Sequence, residues 1–317
     1  MSELDIIIIG AGPAGLTAAQ YAARANLKVL VIEQLSAGGQ ALVIDVLENY
    51  PGNTSQLDVS GNEISGPKSG YEFAMDLHRQ AESFGASFLF DTVTSIKKEN
   101  NIFTVSLIDG SVRTSSALII ATGAKPRPLG IPGEAEFCGR GVSYCASCDG
   151  NFFKGKKIFV VGGGDAACDE ARYLSRLTDK VILVHRRDTF RAQKSLVTRT
   201  LTNPNIETRF NTIVKEIKGE QKVKAVILEN VQTGEIYEEQ ADAVFIFAGT
   251  VPQSTLAAGA SLDDSGYIIT DKKMATNIPG LYAAGDVRSG AFRQVVTAAA
   301  DGAVAAHNAS GYIDALF

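Results

Sequence analysis

The sequence predicts an α/β protein with two Rossmann-like dinucleotide-binding domains, the second inserted into the first. Two observations predict the pair of domains. A strand, glycine loop, helix and second strand open the chain around Gly10-Ala11-Gly12-Pro13-Ala14-Gly15, and the same order returns around Gly162-Gly163-Gly164-Asp165-Ala166-Ala167. A third predicts the insertion: the tail beyond the second unit is too short to bury a core of its own, so it is expected to complete the first domain. The expected boundaries are 1–123 with 250–317 for the first domain and 124–249 for the second.

Leu4 to Ile9 is an unbroken apolar, β-branched run, the pattern of a parallel strand covered on both faces. It meets G-x-G-x-x-G. Gly10 permits the tight turn, Gly12 lets backbone approach a pyrophosphate, and Gly15 lets helix pack on strand. The helix expected over 16–25 offers free N–H groups and a positive dipole end to phosphate. A strand over 28–32 ends at Glu33, an acceptor for the hydroxyls of an unmodified ribose. The span 36–66, rich in Gly, Ser, Asn and Asp, reads as an extended loop region. A helix over 71–84 carries Phe73, Leu77 and Phe84 at helical spacing as its core face. Short strands follow over 87–90, 92–96, 102–107 and 117–121. Pro and Gly crowd 122–133, which reads as an interdomain connection.

The second unit places a strand over 157–161, a helix over 168–177 and a strand over 180–184. Where the first unit has Glu33, this one has His185-Arg186-Arg187, with Arg191 close behind. An acid there would repel a 2′-phosphate, whereas arginines bind it through bidentate, charge-assisted bonds. The second site is therefore expected to take NADPH, and the first FAD or NAD. Further strands are expected over 206–210, 224–229 and 243–247, a second connection over 248–252, a strand over 268–270, and a long alanine-rich helix over 295–309.

Composition narrows the function. Apolar residues make up 45% and the formal net charge is −5, which speaks against a nucleic-acid partner. No apolar run approaches the roughly 20 residues of a membrane span, and the acidic start Met1-Ser2-Glu3 does not read as a signal peptide, so a cytoplasmic protein is expected. Of the four cysteines, Cys145 and Cys148 form a C-x-x-C between the two glycine loops. Such a pair is either redox-active or half of a zinc site. With no second pair, and His78, His185 and His307 scattered, a redox role without metal is expected. Cys138 and Cys168 read as small buried hydrophobes. A flavin at the first site explains all three features together, because it can take a hydride from NADPH and pass two electrons to a disulfide.

At this point the chain resembles the low-molecular-weight, bacterial-type thioredoxin reductases, NADPH-dependent flavoprotein disulfide reductases. The resemblance covers nearly the whole chain. It rests on Gly10 to Gly15, Gly38-Gly39-Gln40, Glu48-Asn49-Tyr50-Pro51-Gly52, Ala121-Thr122-Gly123, the cysteine motif, His185-Arg186-Arg187, Gly285-Asp286 and Arg293-Gln294. It implies an FAD site made by Gly10, Gly12, Pro13, Ala14, Gly15, Glu33, Gln34, Gly39, Gln40, Asn49, Ala121, Thr122, Gly123, Gly285, Asp286, Arg293, Gln294 and Val295. It implies an NADPH site made by Gly162, Gly164, Asp165, Ala166, Ala167, His185, Arg186, Arg187 and Arg191. Cys148 would be the thiol beside the flavin, Cys145 the thiol that attacks the substrate, and Asp149 the proton donor and acceptor. The implied partner is thioredoxin or a thioredoxin-like protein, the implied assembly a homodimer. The implied motion is a rotation of the inserted domain about its two connections.

Three departures stand out. Ala166 replaces the usual Ser or Thr at the nicotinamide cofactor's pyrophosphate. Asn151 replaces the first of two aromatics that help dock thioredoxin, while Phe152 and Arg140 match. The loop 53–63 is longer than usual. The other readings are a same-fold reductase for a glutaredoxin-like or other redox partner, and a redox-switched nucleotide-binding protein without turnover.

Overall fold

The computed structural model describes residues 3–44, 46–57, 59–60, 63–257 and 259–316, apart from the side chains of Leu57, Glu63 and Ile64. It divides into two compact units, Met1–Lys125 with Val251–Phe317, and Pro126–Thr250. The two segments where the chain crosses between them, Ala124–Pro126 and Thr250–Pro252, pair as a two-stranded sheet.

In the discontinuous unit, Leu4–Ile9 lies between Val29–Glu33 and Val112–Ile120 and runs parallel to both. Ser87–Phe90 extends one side. On the other, the end of Val112–Ile120 pairs in parallel with Leu281–Ala283 and its start pairs antiparallel with Ile102–Leu107, which in turn pairs antiparallel with Val93–Glu99. Ile6, Ile7 and Ile8 are fully buried because both faces of the strand are covered. One face carries the helices Pro13–Arg24 and Val295–Asp314, packed through alanine and glycine. A Cβ on Gly302 would fall 2.1 Å from the Ala14 carbonyl oxygen, so the two helices approach nearer than any side chain at that position allows. The other face packs Phe103, Val105, Leu118 and Ile120 against Ala257, Ile268 and Val287.

The continuous unit is built on five parallel strands in the order Val142–Ser143, Ala243–Phe247, Ile158–Gly162, Val181–Val184, Ile206–Arg209. Beside this sheet stand three antiparallel strands, Thr212–Gly219, Val223–Asn230 and Ile236–Gln240. No helix among the described residues is long and apolar enough to cross a membrane.

Several local expectations change. Both glycine-loop helices begin three residues early, at Pro13 and Asp165, because the loop closes directly onto the first helical turn; in the first helix Pro13 suits that position. Phe84 is not core: it is exposed at the end of Gly70–Ser83, with the Arg24 guanidinium over its ring, and Ala74 and Ala81 make the buried face. Phe73 is half-buried against Tyr50. Ile268–Thr270 is not a strand; Ile268 makes only isolated bridges to Leu262 and Arg288. The loop region 36–66 holds a short 3₁₀ turn, Gly39–Val43, and a small hairpin, Gln56–Leu57 with Glu63–Ser65. Asp45, Asp58, Gly61 and Asn62 of that stretch, like Met1 and Ser2, lie outside the described residues. The strands Thr212–Gly219 and Ile236–Gln240 and the helix Lys194–Leu201 were not expected, since their charged residues mask the apolar period. Cys168 is buried as expected, but Cys138 is exposed.

Candidate active site

The first glycine loop sits at the carboxyl end of Leu4–Ile9, where open α/β sheets bind ligands. Gly10 has φ 102°, and a Cβ there would lie 2.4 Å from the Ala121 carbonyl oxygen. The turn therefore sets Ala121-Thr122-Gly123 against the loop. A Cβ on Gly15 would meet the Gly10 carbonyl oxygen at 1.8 Å, whereas one on Gly12 has nothing nearer than 4.0 Å. Gly10 and Gly15 are thus required by packing, and Gly12 leaves room for a ligand. Helix Pro13–Arg24 starts with no side-chain cap, unlike Gly70–Ser83, whose Ser69 and Glu72 form a full capping box. Its first amides remain available to a phosphate. Glu33 Oε2 accepts from the Ala11 amide at 2.8 Å and Oε1 from Leu35 at 3.1 Å, which fixes the carboxylate beside the loop.

Remote segments gather here. The Gly38 amide donates to the Ala11 carbonyl at 2.7 Å, and Gly39 lies against Gly12. Gln40 donates to the Ala124 carbonyl. Asn49 donates to Gln294 at 2.9 Å, just before the helix that Val295 opens. Gly285 has φ 76° and lies against Ala14, so Asp286 stands by the start of the first helix. Burial raises the Asp286 carboxyl above its ordinary range, against the opposing pull of Arg293. Arg293 itself stands with φ 59° over the Tyr267 ring, 4.4 Å from its centroid. Gln34 is exposed just past Glu33. Sequence reasoning missed two supports. Buried Asp301 accepts from the Gly285 amide at 3.2 Å and from Arg288 Nε at 2.9 Å, and Gln253 donates to the Thr122 carbonyl at 2.7 Å. The one signal for Asp301 was an acid inside an alanine-rich helix.

The second loop repeats the logic with other side chains. Gly162 has φ 156°, and a Cβ there would be 2.5 Å from the Phe247 carbonyl oxygen. Gly164 has open space, and Asp165–Leu174 again starts without a side-chain cap, with Ala166 in its first turn and Ala167 buried. His185 is buried directly against Gly163, where a Cβ would strike its ring at 2.2 Å. Burial, chiefly, pushes its imidazole below the usual histidine value. The chain beyond folds back on the loop: the Arg191 amide donates to the Gly163 carbonyl at 2.7 Å, and Asp165 accepts from the Gln193 amide and side chain at 2.8 and 2.9 Å. Arg186, Arg187 and Arg191 are exposed beside it.

In the same unit, Cys145 and Cys148 form a disulfide with a Cα–Cα separation of 5.4 Å, inside the usual range. Cys145 caps the short helix Ala146–Asp149, and its Sγ accepts from the Cys148 amide at 3.1 Å. Cys145 is half-buried, Cys148 exposed, and the Asp149 amide donates to the Cys145 carbonyl at 3.2 Å. Cys168 belongs to the core, and burial raises its thiol.

A family model described as pyridine nucleotide-disulphide oxidoreductase matches residues 4–302. A thioredoxin reductase of Treponema pallidum is 53% identical over 315 residues, 99% of each chain. One from Listeria monocytogenes is 43% identical over 316 residues, covering 98% of this chain and 94% of its own. The crystal structure of Lactococcus lactis thioredoxin reductase in its FR conformation superposes with a TM-score of 0.92 at 40% identity, covering 99% of this chain and 100% of that one. The chain belongs to the pyridine nucleotide-disulphide oxidoreductase family. It is an enzyme, a flavoprotein oxidoreductase with FAD and NADPH as its cofactors.

Proposed function

We propose that this protein reduces the disulfide of a thioredoxin or thioredoxin-like partner at the expense of NADPH. The discontinuous unit would hold FAD and the continuous unit NADPH. The observation that carries the reading is a closed Cys145–Cys148 disulfide in the same unit as a glycine loop flanked by exposed arginines. The close relatives named thioredoxin reductase support it.

The residues fit the two nucleotides. Gly12, Gly39 and the uncapped amides after Pro13 would receive the FAD pyrophosphate, and Glu33 would accept the ribose hydroxyls. The remaining FAD contacts would come from Ala14, Gln34, Gln40, Asn49, Thr122, Asp286, Arg293, Gln294 and Val295. Gly164 and the amides of Asp165, Ala166 and Ala167 would take the NADPH pyrophosphate, with Arg186, Arg187 and Arg191 on the 2′-phosphate. Ala166 offers no hydroxyl, so backbone donors carry that contact alone. FAD bound there supplies a carrier that accepts a hydride and releases two electrons to a disulfide.

The chain's own chemistry is thiol exchange. In the reduced pair, the Cys148 amide that points at Cys145 Sγ favours a thiolate at Cys145. That thiolate attacks one sulfur of the partner disulfide and expels the other, leaving a mixed disulfide. Cys148 then attacks Cys145 Sγ, re-forms the internal disulfide and releases the second partner thiol. Asp149 would give and take the protons. The sum is NADPH, one proton and a disulfide converted to NADP⁺ and two thiols. Phe152, 78% exposed beside the motif, offers an apolar contact to the partner despite Asn151. Homodimeric assembly, a cytoplasmic location and rotation of the continuous unit about its two connections complete the reading.

The test is to purify the protein, measure FAD per chain, and follow NADPH oxidation with a thioredoxin, a glutaredoxin and no partner. Fast turnover with thioredoxin alone is expected. Fast turnover with glutaredoxin only would move the substrate. NADPH and FAD binding without any disulfide turnover would leave a nucleotide-binding switch in place of an enzyme.

A further inference from the structure

Glu134 is a carboxylate at 3% exposure in a protein whose other acids are mostly at the surface. It lies in the continuous unit, just after the first crossing segment. Four donors converge on it. Leu129 and Gly130 donate their amides at 2.8 and 2.7 Å, Ile131 donates more weakly at 3.4 Å, and the Tyr144 hydroxyl donates at 2.7 Å. A buried carboxylate so surrounded is fully satisfied, and removal of any donor is felt. Burial and the neighbouring Glu134 charge push the Tyr144 phenol upward, so it stays protonated and remains a donor.

The position of these donors matters more than their number. Leu129 follows Arg127, whose amide donates to the Gly249 carbonyl at 2.8 Å and whose side chain reaches the Thr250 carbonyl at 3.1 Å. Gly249 precedes the second crossing segment and Thr250 opens it. Tyr144 directly precedes Cys145, and the Cys145 amide donates to buried Ser143 Oγ at 3.0 Å. The turn that carries Glu134 is itself braced: Gly133 has φ 82°, a Cβ there would be 1.9 Å from the Ile217 carbonyl oxygen, and the Ile217 amide donates to Pro132 at 2.9 Å. A continuous polar path thus runs from both connections, through one carboxylate, to the backbone of Cys145.

We propose that Glu134 and Tyr144 are positioning residues for the disulfide step, a strut that ties the redox pair to the segments on which the unit is hung. The inference rests on the reading of Cys145–Cys148 as the redox-active pair. The strut fixes where Cys145 stands without touching substrate or cofactor, so its loss acts on thiol exchange and spares the NADPH half of the reaction. A small displacement of a reacting atom is enough to slow such a step.

The test uses the FAD-loaded enzyme with Tyr144→Phe, which deletes one hydroxyl and keeps the ring. Anaerobic stopped-flow mixing with NADPH follows flavin bleaching, and steady-state turnover with a thioredoxin disulfide gives kcat. Bleaching should keep its wild-type rate while kcat falls about tenfold, the scale of one lost hydrogen bond to a charged group. Thr178→Val is the control. It removes a buried hydroxyl bond of 2.7 Å to the Lys156 carbonyl at the other end of the same sheet, and it should leave kcat unchanged. Glu134→Gln should lower kcat at least as much as Tyr144→Phe, and the double variant no further than Glu134→Gln, since the Tyr144 hydroxyl acts through its bond to Glu134. A Tyr144→Phe enzyme with wild-type kcat, or a Thr178→Val enzyme equally slowed, overturns the inference alone. A wild-type enzyme that bleaches with NADPH and reduces no disulfide overturns the functional reading, and this inference with it.

Discussion

The two glycine loops share a backbone plan and differ at the end of the second strand. In the first, Glu33 is half-buried and already bound to two amides beside the loop. In the second, His185 is buried beneath Gly163, and the arginines that follow stand exposed. The lesson is a division of labour. The strand–loop–helix geometry leaves an uncapped helix start in either unit, and under the proposed function one short segment would decide which ribose belongs there. The glycines divide the same way. Gly10, Gly15 and Gly162 are held by backbone that leaves no room for a Cβ, while a Cβ on Gly12 would meet only Gly39 at 4.0 Å and Gly164 faces open space.

The largest effect should separate both loops from the thiols. If the loops serve only hydride exchange, Cys145→Ser and Cys148→Ser should each lower disulfide turnover by about 10³-fold or more. NADPH should still bleach the flavin in both. Only Cys145→Ser keeps a Cys148 thiolate, so a long-wavelength charge-transfer band should appear there; a band confined to Cys148→Ser would exchange the two roles.

Next come the glycines. Gly15→Ala forces a Cβ onto the Gly10 carbonyl and should destabilise the discontinuous unit by about 3 kcal/mol or more, with loss of bound FAD. Gly12→Ala and Gly164→Ala should cost about 1 kcal/mol or less in folding. The first should release FAD on dilution, and the second should raise the KM for NADPH only. Thermal unfolding with FAD assay separates these outcomes, and equal destabilisation by all three would remove the distinction between packing and ligand glycines.

A smaller effect tests ribose selection. Arg186→Ala with Arg187→Ala should cost about 1.5–3 kcal/mol per charged hydrogen bond lost to the 2′-phosphate, read as kcat/KM for NADPH against NADH. Full discrimination in the double variant would place the phosphate elsewhere.

The smallest is a pH effect at His185. Its folded-state pKa lies below the ordinary value of about 6.5, so the unfolded chain binds more protons in that window. The stability held by the neutral ring is complete above about pH 6.5 and is lost as the pH falls below it. The unfolding-midpoint deficit of His185→Gln, measured without nucleotide, should therefore shrink from pH 7.5 to pH 5. A deficit constant across that range would show that the imidazole does not titrate on unfolding.

Much of this was present in the linear order of residues. Both strand–glycine loop–helix units, the contrast in residues between Glu33 and His185-Arg186-Arg187, and the Cys145–Cys148 disulfide were legible because each is local. A glycine turn, a buried strand and a C-x-x-C are written within a few residues and constrained by backbone geometry. The chain order could not say that Asn49 meets Gln294, that Asp301 supports Gly285, or that Glu134 holds Tyr144. Those pairings join residues between ten and 245 positions apart, and folding of the whole unit brings them together. The same reason explains the misplacements. Phe84 has a core residue's chemistry and spacing, yet it stands exposed just past the end of its helix with Arg24 over its ring, and Cys138, small and apolar, is exposed. Local sequence determined which chemistry each segment can offer. Tertiary packing decided which of those groups are buried, which are held in place, and which stay exposed, because burial and long-range hydrogen bonds exist only once distant segments share one core.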